Sequence, residues 1–330
     1  MKTRISVVIA TYRRSELLAR CLNALRNQSL PPDFFEVIVV SDGPDKATGK
    51  VVSVFDSLKG GPRFRYFALP ERSGPAAARN LGWRKASAST SLVAFTDDDC
   101  MPFRRWLRAG WDGYLKAHPQ NFVAFSGKIV VPCPAAPTDY QRNTARLETA
   151  EFVTANCFCS LAALEQVDGF DERFPVAWRE DSDLAFSLSE HGIPVLPLDD
   201  AVVLHPVRSA CWGVSMKEQR KSMYNALLYK KHPGLYRARI QRHAPWLYYT
   251  MIISSLVFLG TVTGLLPRPL MWPSAIVWAA AWGYFVIKRV LGTSYTFRHI
   301  SEMICTSIGI PYLSVFWRLY GSLKYKVLFL

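Results

Sequence analysis

Three consecutive aspartates, Asp97, Asp98 and Asp99, follow the uncharged run 91–96. A carboxyl group ordinarily titrates near pH 4, so at neutral pH all three should be charged and repel one another. On an extended backbone alternate side chains point to one face, so Asp97 and Asp99 are expected to converge. Two converging carboxylates suit a divalent cation that prefers oxygen ligands. A solvated loop, or an acidic helix start favoured by the helix dipole, explains the triplet equally well.

A further acidic residue, Asp42, follows a second strand-like run at its carboxyl end, where open α/β sheets bind ligands. The triplet is expected at the same edge. Together they favour a nucleotide, with Asp42 near the base or ribose and a metal ion on the diphosphate. The sequence contains neither GxGxxG nor GxxxxGK[ST], which disfavours dinucleotide dehydrogenases and P-loop ATPases.

The segment 74–82 is rich in glycine and alanine and contains Arg79 and Asn80. One interpretation is a helix of small residues that packs close to the sheet. In the other, Arg79 and Asn80 project toward a phosphate or a ribose. The residue types do not decide between these two interpretations.

Glu180 and Asp181 lie at the start of a helical pattern over 181–192. They are either an acidic N-terminus stabilised by the helix dipole or a general base at an acceptor site. His205 follows an apolar strand-like run and is either a satisfied strand-end histidine or a neutral imidazole ligand to the same metal.

The elements that must position these residues alternate between strand and helix patterns. Near-continuous apolar strands in this rhythm predict a mostly parallel α/β sheet with flanking helices. The predicted strands are 5–10, 35–40, 64–69 and 92–95, and the predicted helices are 15–28, 74–88 and 181–192.

The net charge of +14 is concentrated in the C-terminal part of the chain. Residues 1–204 are neutral, whereas residues 205–330 contain 16 Lys and Arg but only Glu218 and Glu302 as acids. Because this positive charge surrounds apolar segments, it favours an anionic membrane surface over a nucleic acid. The seven cysteines form no CxxC pair, so we expect reduced thiols in a cytosolic setting and no metal cluster.

Two uncharged runs, 246–266 and 271–287, predict a transmembrane helical hairpin. Basic residues flank its outer ends, and the positive-inside rule places both flanks in the cytoplasm. A third run, within 300–318, contains Pro311 and is expected to be interfacial or re-entrant. The expected domains are therefore a catalytic domain over 1–210, a basic amphipathic connector over 211–244 and a membrane region over 245–330. This organisation predicts an integral protein of the cytoplasmic (inner) membrane with its catalytic domain in the cytoplasm.

The ordered set of these motifs resembles family 2 glycosyltransferases over roughly residues 3–206. The resemblance is carried by residues 7–14, by Asp42-Gly43, by 74–82, by 95–99, by 169–172 and by Glu180-Asp181. It implies a GT-A fold, a nucleotide-sugar donor such as a UDP-, GDP- or dTDP-sugar, and transfer with inversion.

The resemblance also implies residue roles. Asp97 and Asp99 would form the DxD motif, with Asp99 and His205 binding Mg²⁺ or Mn²⁺ and Asp97 shared with the ribose. Asp181 would be the catalytic base, with Glu180 beside it. The implied donor-binding residues are Thr11, Tyr12, Arg14, Asp42, Arg79, Asn80, Asp97 and Asp98, and the implied acceptor-side residues are Asp171 and Trp178.

Two departures and several alternatives qualify these implications. Asp168 stands where many members have glycine, and the chain lacks the QxxRW motif of processive synthases, so addition of one or a few sugars is expected. A membrane-held catalytic domain favours a lipid or lipid-linked glycan acceptor, and Glu180-Asp181 favours a hydroxyl over a polyprenyl phosphate. A metal-dependent nucleotidyltransferase and a non-catalytic membrane scaffold are the alternatives from other classes.

Overall fold

A computed structural model of the chain describes residues 3–117 and 122–329. The chain divides into two compact units, Met1–Pro132 with Ala145–Val207, and Cys133–Thr144 with Arg208–Leu330. The segment Cys133–Thr144 therefore belongs to the second unit, although the chain on both sides of it belongs to the first. The sequence analysis expected one continuous domain over 1–210 and did not predict that this segment would belong to the second unit.

The described residues form the following elements. The strands are β1 (Ile5–Thr11), β2 (Phe35–Ser41), β3 (Arg63–Ala68), β4 (Leu92–Thr96), β5 (Met101–Pro102), β6 (Ala124–Val130), β7 (Asn156–Ser160) and β8 (Val195–Leu204). The helices are α1 (Ser15–Arg26), α2 (Lys46–Ser57), α3 (Pro75–Arg84), α4 (Trp106–Ala117), α5 (Asp139–Ala145), α6 (Leu161–Val167), α7 (Glu180–Glu190), α8 (Val214–Glu218), α9 (Met223–Lys231), α10 (Pro233–Arg239), α11 (Trp246–Val262), α12 (Met271–Val290) and α13 (Phe297–Tyr325).

The strands of the first unit form one sheet in the order β3-β2-β1-β4-β7-β6-β8-β5. The first four strands in this order are mutually parallel, β6 and β8 are parallel, and β7 and β5 run antiparallel to their neighbours. The prediction of a mostly parallel α/β sheet is confirmed. The sequence did not reveal the antiparallel strand β7.

Helices cover both faces of this sheet, which explains why its central strands are apolar throughout. On one face, residues such as Val7 and Val37 pack with the apolar sides of α1 and α4, including Leu22. On the other face, Val8 and Phe95 pack with residues of α3, α6 and α7. The core of the unit therefore consists of two apolar layers separated by the sheet.

Helix α3 lies unusually close to the sheet because its sheet-facing residues are small. Ala76 and Ala78 are buried, and a Cβ atom on Gly82 would lie 2.4 Å from Val8 Cγ1. The interpretation of 74–82 as a small-residue helix packed on the sheet is confirmed. This close approach also holds Arg79 of the same helix near the sheet edge.

Four strands with the same direction end at one edge of the sheet. Parallel pairing of β1, β2 and β4, together with the two antiparallel steps through β7, gives β6 and β8 the same direction as β4. Tyr12, Asp42, Asp97 and His205 immediately follow the ends of β1, β2, β4 and β8. The sheet therefore brings residues that are far apart in sequence to a single edge.

The second unit contains the long apolar helices. Helix α11 has 17 residues and ends at Val262, earlier than the expected 266, because Gly264 adopts a φ of +77° and Leu266 N donates to Gly260 O. Helix α12 continues beyond the expected 287 to Val290. By length and composition, Arg268–Val290 and Phe297–Tyr325 could each cross a membrane, whereas α11 is shorter.

Helix α13 differs from the expected short segment at 300–318. It is a continuous helix of 29 residues, and Pro311 lies inside it without ending it. A proline removes one backbone donor but is compatible with a long helix when the surrounding packing holds the chain.

The segment Cys133–Thr144 is attached to the second unit by a buried ion pair. Arg289, near the end of α12, donates to Asp139 Oδ2 at 3.0 Å and also to Thr306 and Ser307 of α13 at 2.7 and 3.0 Å. Arg142 donates to the other oxygen of Asp139 at 3.2 Å. These bonds explain why the segment groups with the helices.

Candidate active site

The aspartate triplet forms a turn after β4, not an extended strand, because Cys100 N donates to Asp97 O at 3.1 Å. The three side chains have different surroundings. The carboxylate of Asp97 is partly exposed and pairs with Arg79, whereas Asp98 and Asp99 are buried. The triplet is therefore neither a solvated loop nor a helix start.

Asp98 joins the ends of β1 and β4. Thr11 Oγ1 donates to Asp98 Oδ2 at 2.7 Å, and Arg14 Nη1 donates to Oδ1 at 3.3 Å. Burial raises the pKa of Asp98, and Arg14 and Thr11 partly offset that rise. Because both carboxylate oxygens accept hydrogen bonds from the protein, we assign Asp98 to bracing the turn. The expected contact of Asp98 with the donor stays a prediction.

A candidate metal site lies where β4 and β8 end. One ligand atom from each of Asp99, Cys100 and His205 lies within 4.8 Å of the others, and all three residues are buried. Among the described residues, His205 Nδ1 has no hydrogen-bond partner, although it is buried. Burial raises the pKa of the Cys100 thiol well above its ordinary value. The residues fit a divalent ion held by the Asp99 carboxylate and the His205 imidazole, with a neutral thiol beside them.

Arg79 links the aspartate triplet to the start of α7. Its guanidinium is buried and donates to Asp97 Oδ1 at 2.9 Å and to Glu180 Oε1 at 3.1 Å. Charge from Asp97 and Glu180 outweighs burial and raises the pKa of Arg79. A planar guanidinium with several donors is suited to holding two carboxylates at once. The guanidinium of Arg79 thus connects two carboxylates of the protein, those of Asp97 and Glu180. It lies beside the predicted donor region.

Glu180 and Asp181 form a pair of carboxyl groups with raised pKa values. Burial, then the neighbouring Asp181 charge, raises the pKa of Glu180 to about 7 despite Arg79. Burial also raises the pKa of Asp181, against hydrogen bonds from Ser182. Asp181 is the more accessible of the two. It is therefore the carboxyl group of this pair that can meet a substrate.

Asp42 holds the loop that leads into α3. Its Oδ1 accepts from the backbone N–H groups of Ser73 and Gly74, at 2.7 and 2.8 Å. Gly74 is required there because its φ is +97° and a Cβ atom would lie 2.4 Å from Pro175 O. Asp42 Oδ2 lies 3.8 Å from Arg72 Nε. Only part of the Asp42 carboxylate is therefore available to a nucleotide.

Two arginines that the sequence analysis did not single out surround Tyr12. The guanidinium carbon of Arg72 lies 4.6 Å from the centre of the Tyr12 ring, and that of Arg13 lies 5.1 Å from it. Arg13 has a φ of +54°, and its backbone N–H donates to Asp45 at 2.9 Å. The only sequence signal for these arginines was their place in loops that follow parallel strands, where ligands bind.

Asn80 is bonded to protein groups on all sides of its amide. Its amide nitrogen donates to Phe170 O and to Glu172, both at 2.8 Å, and its oxygen accepts from Trp83 Nε1 and Phe170 N at 3.0 and 2.9 Å. The side chain is buried, and these four bonds use its hydrogen-bonding capacity. Asn80 therefore supports the loop 169–172, and its amide is occupied by protein groups.

The two expected acceptor-side residues differ in availability. Asp171 is engaged by Arg173, whose side chain donates to both carboxylate oxygens at 2.6 to 3.0 Å. Trp178 is exposed, directly precedes the turn into α7, and lies with its ring 4.7 Å from the guanidinium carbon of Arg179. Arg179 has a φ of +76°, so strained backbone separates Trp178 from Glu180.

Comparison with known families assigns the chain. The family model described as Glycosyl transferase family 2 matches residues 6–133. A second model, described as Glycosyl transferase family group 2, matches residues 139–288. The chain belongs to glycosyltransferase family 2. The matched families and the relatives named below are those of glycosyltransferases, which favours this class over the alternatives of a nucleotidyltransferase and of a non-catalytic scaffold.

Curated relatives of this glycosyltransferase include the glycosyltransferase AglE of Haloferax volcanii, 33% identical over 106 residues, which cover 32% of the chain and 34% of the relative. Validoxylamine A glucosyltransferase of Streptomyces hygroscopicus subsp. limoneus is 27% identical over 282 residues, 70% of the chain and 57% of the relative. The chain thus spans less than two thirds of the length of either relative.

A solved structure supports the fold of the glycosyltransferase. The mannosyltransferase PcManGT of Pyrobaculum calidifontis, solved in complex with GDP-Man and Mn²⁺, superposes with a TM-score of 0.61 at 19% identity. The alignment covers 96% of this chain and 88% of that one. The expected GT-A fold is confirmed.

Proposed function

We propose that this glycosyltransferase moves a sugar, with inversion, from a nucleotide diphosphate to a hydroxyl of a lipid or lipid-linked glycan. The reaction takes place at the cytoplasmic face of the membrane. The observation that carries this proposal is the carboxyl pair at the start of α7, which Arg79 joins to Asp97 at the carboxyl edge of the sheet.

Asp181 is the proposed general base. The acceptor oxygen forms a bond to the anomeric carbon while the bond from that carbon to the diphosphate oxygen breaks, and the acceptor proton passes to Asp181. A single displacement of this kind inverts the anomeric centre. A carboxylate with a raised pKa accepts a proton more readily than an ordinary one, and the pKa of Asp181 is raised. Glu180, buried and bonded to Arg79, positions its neighbour.

Asp99 and His205 are the proposed ligands of Mg²⁺ or Mn²⁺, with Asp97 nearby as the other member of the DxD motif. Such an ion, when bound, neutralises negative charge on a leaving diphosphate. The GDP-Man and Mn²⁺ present in the mannosyltransferase of similar fold support a nucleotide-sugar donor and a divalent ion. Tyr12 and Asp42, at the ends of β1 and β2, are the proposed contacts to the nucleotide.

The second unit supports an acceptor that resides in a membrane. Its helices α11 and α12 carry large apolar side chains in exposed positions, including Ile253, Leu256, Leu259 and Ile276. Apolar surface of this extent is costly in water and favourable in a bilayer. A hydroxyl acceptor is preferred over a polyprenyl phosphate because an ionised phosphate has no proton to give to Asp181.

The test is a transfer assay with the full chain, membrane lipid extracts and a panel of nucleotide sugars with Mn²⁺. We expect Asp181→Asn to abolish transfer while donor binding, measured by thermal shift, stays intact. Glu190→Gln, the same loss of charge at the other end of α7, should leave both unchanged. Full turnover by the Asp181 variant would refute the assignment of the base and would favour a phosphate acceptor.

A further inference from the structure

We infer that α13 does not cross the membrane but lies in the plane of its surface, with its exposed apolar face against the acyl chains of one leaflet. This inference rests on the proposed membrane function. By length and composition α13 could cross a membrane, because it has 29 residues and is largely apolar. The contacts that each face of α13 makes within the second unit decide against a crossing.

One face of α13 is apolar and exposed. Residues four positions apart lie on the same face of a helix. Exposed large apolar residues of α13 follow this spacing at Ile304, Ile308, Phe316 and Tyr320, and Leu323 is exposed beside them. A continuous line of exposed apolar side chains is costly in water and marks a surface that contacts lipid or protein.

The hairpin of α11 and α12 meets α13 in the middle of this apolar face. Tyr312 lies four positions after Ile308 and four before Phe316, on the same line. Its hydroxyl is hydrogen-bonded to Ser255 Oγ of α11 and accepts from Trp278 Nε1 of α12 at 2.9 Å. Both partners lie in the interior of their helices. Because the hairpin is the part of the unit that enters the hydrocarbon, the apolar face of α13 faces the hydrocarbon as well.

The two ends of the hairpin are bonded to the opposite, buried face of α13. Arg289, near the end of α12, donates to Thr306 Oγ1 at 2.7 Å, and Arg318 donates to Gln241, which precedes α11, at 3.1 Å. The short connection 263–270 joins α11 to α12, so Gln241 and Arg289 are on the same side of the hairpin. Thr306 and Arg318 are about 18 Å apart along α13. In a crossing helix their depths would differ by more than half of the hydrocarbon thickness, so α13 runs across the base of the hairpin instead.

The segment 213–231 accompanies α13 along its length and is basic. Three contacts join the two from end to end: a hydrogen bond from Gly213 N to Glu302 Oε1 at 2.7 Å, the Arg220 guanidinium carbon 5.6 Å from the centre of the Trp317 ring, and a hydrogen bond from Lys230 Nζ to Tyr325 O at 2.8 Å. The segment contains five Lys and Arg but only Glu218 as an acid. Charged side chains are costly in hydrocarbon, so a helix bound to this segment belongs at the surface. There the positive charge is complementary to anionic headgroups.

The test measures the depth of α13 in a bilayer and does not depend on catalysis. The full chain, with the exposed Cys133, Cys211 and Cys305 replaced by serine, is reconstituted in nanodiscs of phosphatidylcholine and phosphatidylglycerol. One nitroxide label at a time is attached in the variants Ile308→Cys, Phe316→Cys and Leu323→Cys. Electron paramagnetic resonance gives its depth from collisions with oxygen and with a water-soluble nickel chelate. Ile276→Cys and Ile287→Cys are the matched controls, because both side chains are exposed and lie about 16 Å apart along α12.

We expect the three labels on α13 to lie at one shallow depth, about 5–10 Å into the boundary between headgroups and acyl chains. Depths at positions 308 and 323 that differ by about 22 Å, as in a crossing helix, would overturn the inference. Three labels in water would overturn it too, because α13 would then not contact lipid. The control pair should differ by about 16 Å in depth. Equal depths there would refute the spanning hairpin, and absence of glycosyl transfer would affect only the proposed function.

Discussion

Replacement of Arg79 by methionine should destabilise the catalytic unit in a way that depends on pH. Arg79 is buried, and its partner Glu180 is buried with it, whereas the side chain of Asp97 is 27% exposed. Loss of the pairing with Asp97 should therefore cost no more than about 1 kcal/mol, as for exposed ion pairs. Glu180 has no such access to solvent. The change in its pKa when Arg79 is lost therefore determines how much stability the unit loses.

The pH dependence follows from the pKa of Glu180, which is about 7 with Arg79 present against an ordinary value of 4.5. A carboxyl pKa that is raised by folding lowers stability as the pH rises from the unfolded value to the folded one. In the wild type this loss ends near pH 7. Without Arg79 the folded pKa is higher still, so the loss continues at about 1 kcal/mol for each further pH unit.

Thermal unfolding of the variant and the wild type between pH 6 and pH 9 measures this difference. Since 1 kcal/mol shifts the melting temperature of a unit of this size by about 2–4 °C, the gap should widen by several degrees above pH 7. Arg84→Met is the matched control on the same helix, because its partners Asp168 and Glu172 are exposed. A gap that is the same at pH 6 and pH 9 would refute the reasoning, as would an equal effect of the control.

Three further predictions concern single positions. Gly74→Ala should lower stability by more than about 2 kcal/mol, because the backbone is left-handed and the new Cβ would meet Pro175; an unchanged melting temperature would contradict this. Asn80→Ala should cost about 2–4 kcal/mol by leaving buried groups of loop 169–172 without partners, and faster hydrogen exchange confined to that loop is the expected sign. Asp99→Asn should weaken Mn²⁺-dependent donor binding at least about tenfold, with little change when EDTA is present; equal affinities with Mn²⁺ would exclude Asp99 as a ligand.

The metal and base candidates could be proposed from the sequence because their chemistry depends on residue type. Carboxylates after a buried strand, and a carboxyl pair at a helix start, are recognisable without knowing what lies beside them. The structural role of each polar side chain could not be recognised from the sequence. Asn80 and Asp98 were expected at the donor, yet the structure uses both to hold loops together.

The same distinction holds for the helices of the second unit. Apolar runs predicted the hairpin from composition alone, because a membrane span requires only length and the absence of charge. The early end of α11 at Val262 depended on the backbone of Gly264, and the single helix α13 depended on packing around Pro311. Proline disfavours a helix interior by about 3 kcal/mol, so the packing around Pro311 must offset that cost.

The sequence by itself determined the parallel sheet, the acidic residues at its carboxyl edge and the apolar C-terminal helices, because each leaves a periodic or compositional pattern along the chain. Only the tertiary structure decided which of those residues meet. Arg79 lies 101 positions from Glu180, and Asp139 lies 150 positions from Arg289. Such pairs leave no local pattern, because the energy of a buried charge depends on the partner that folding brings to it.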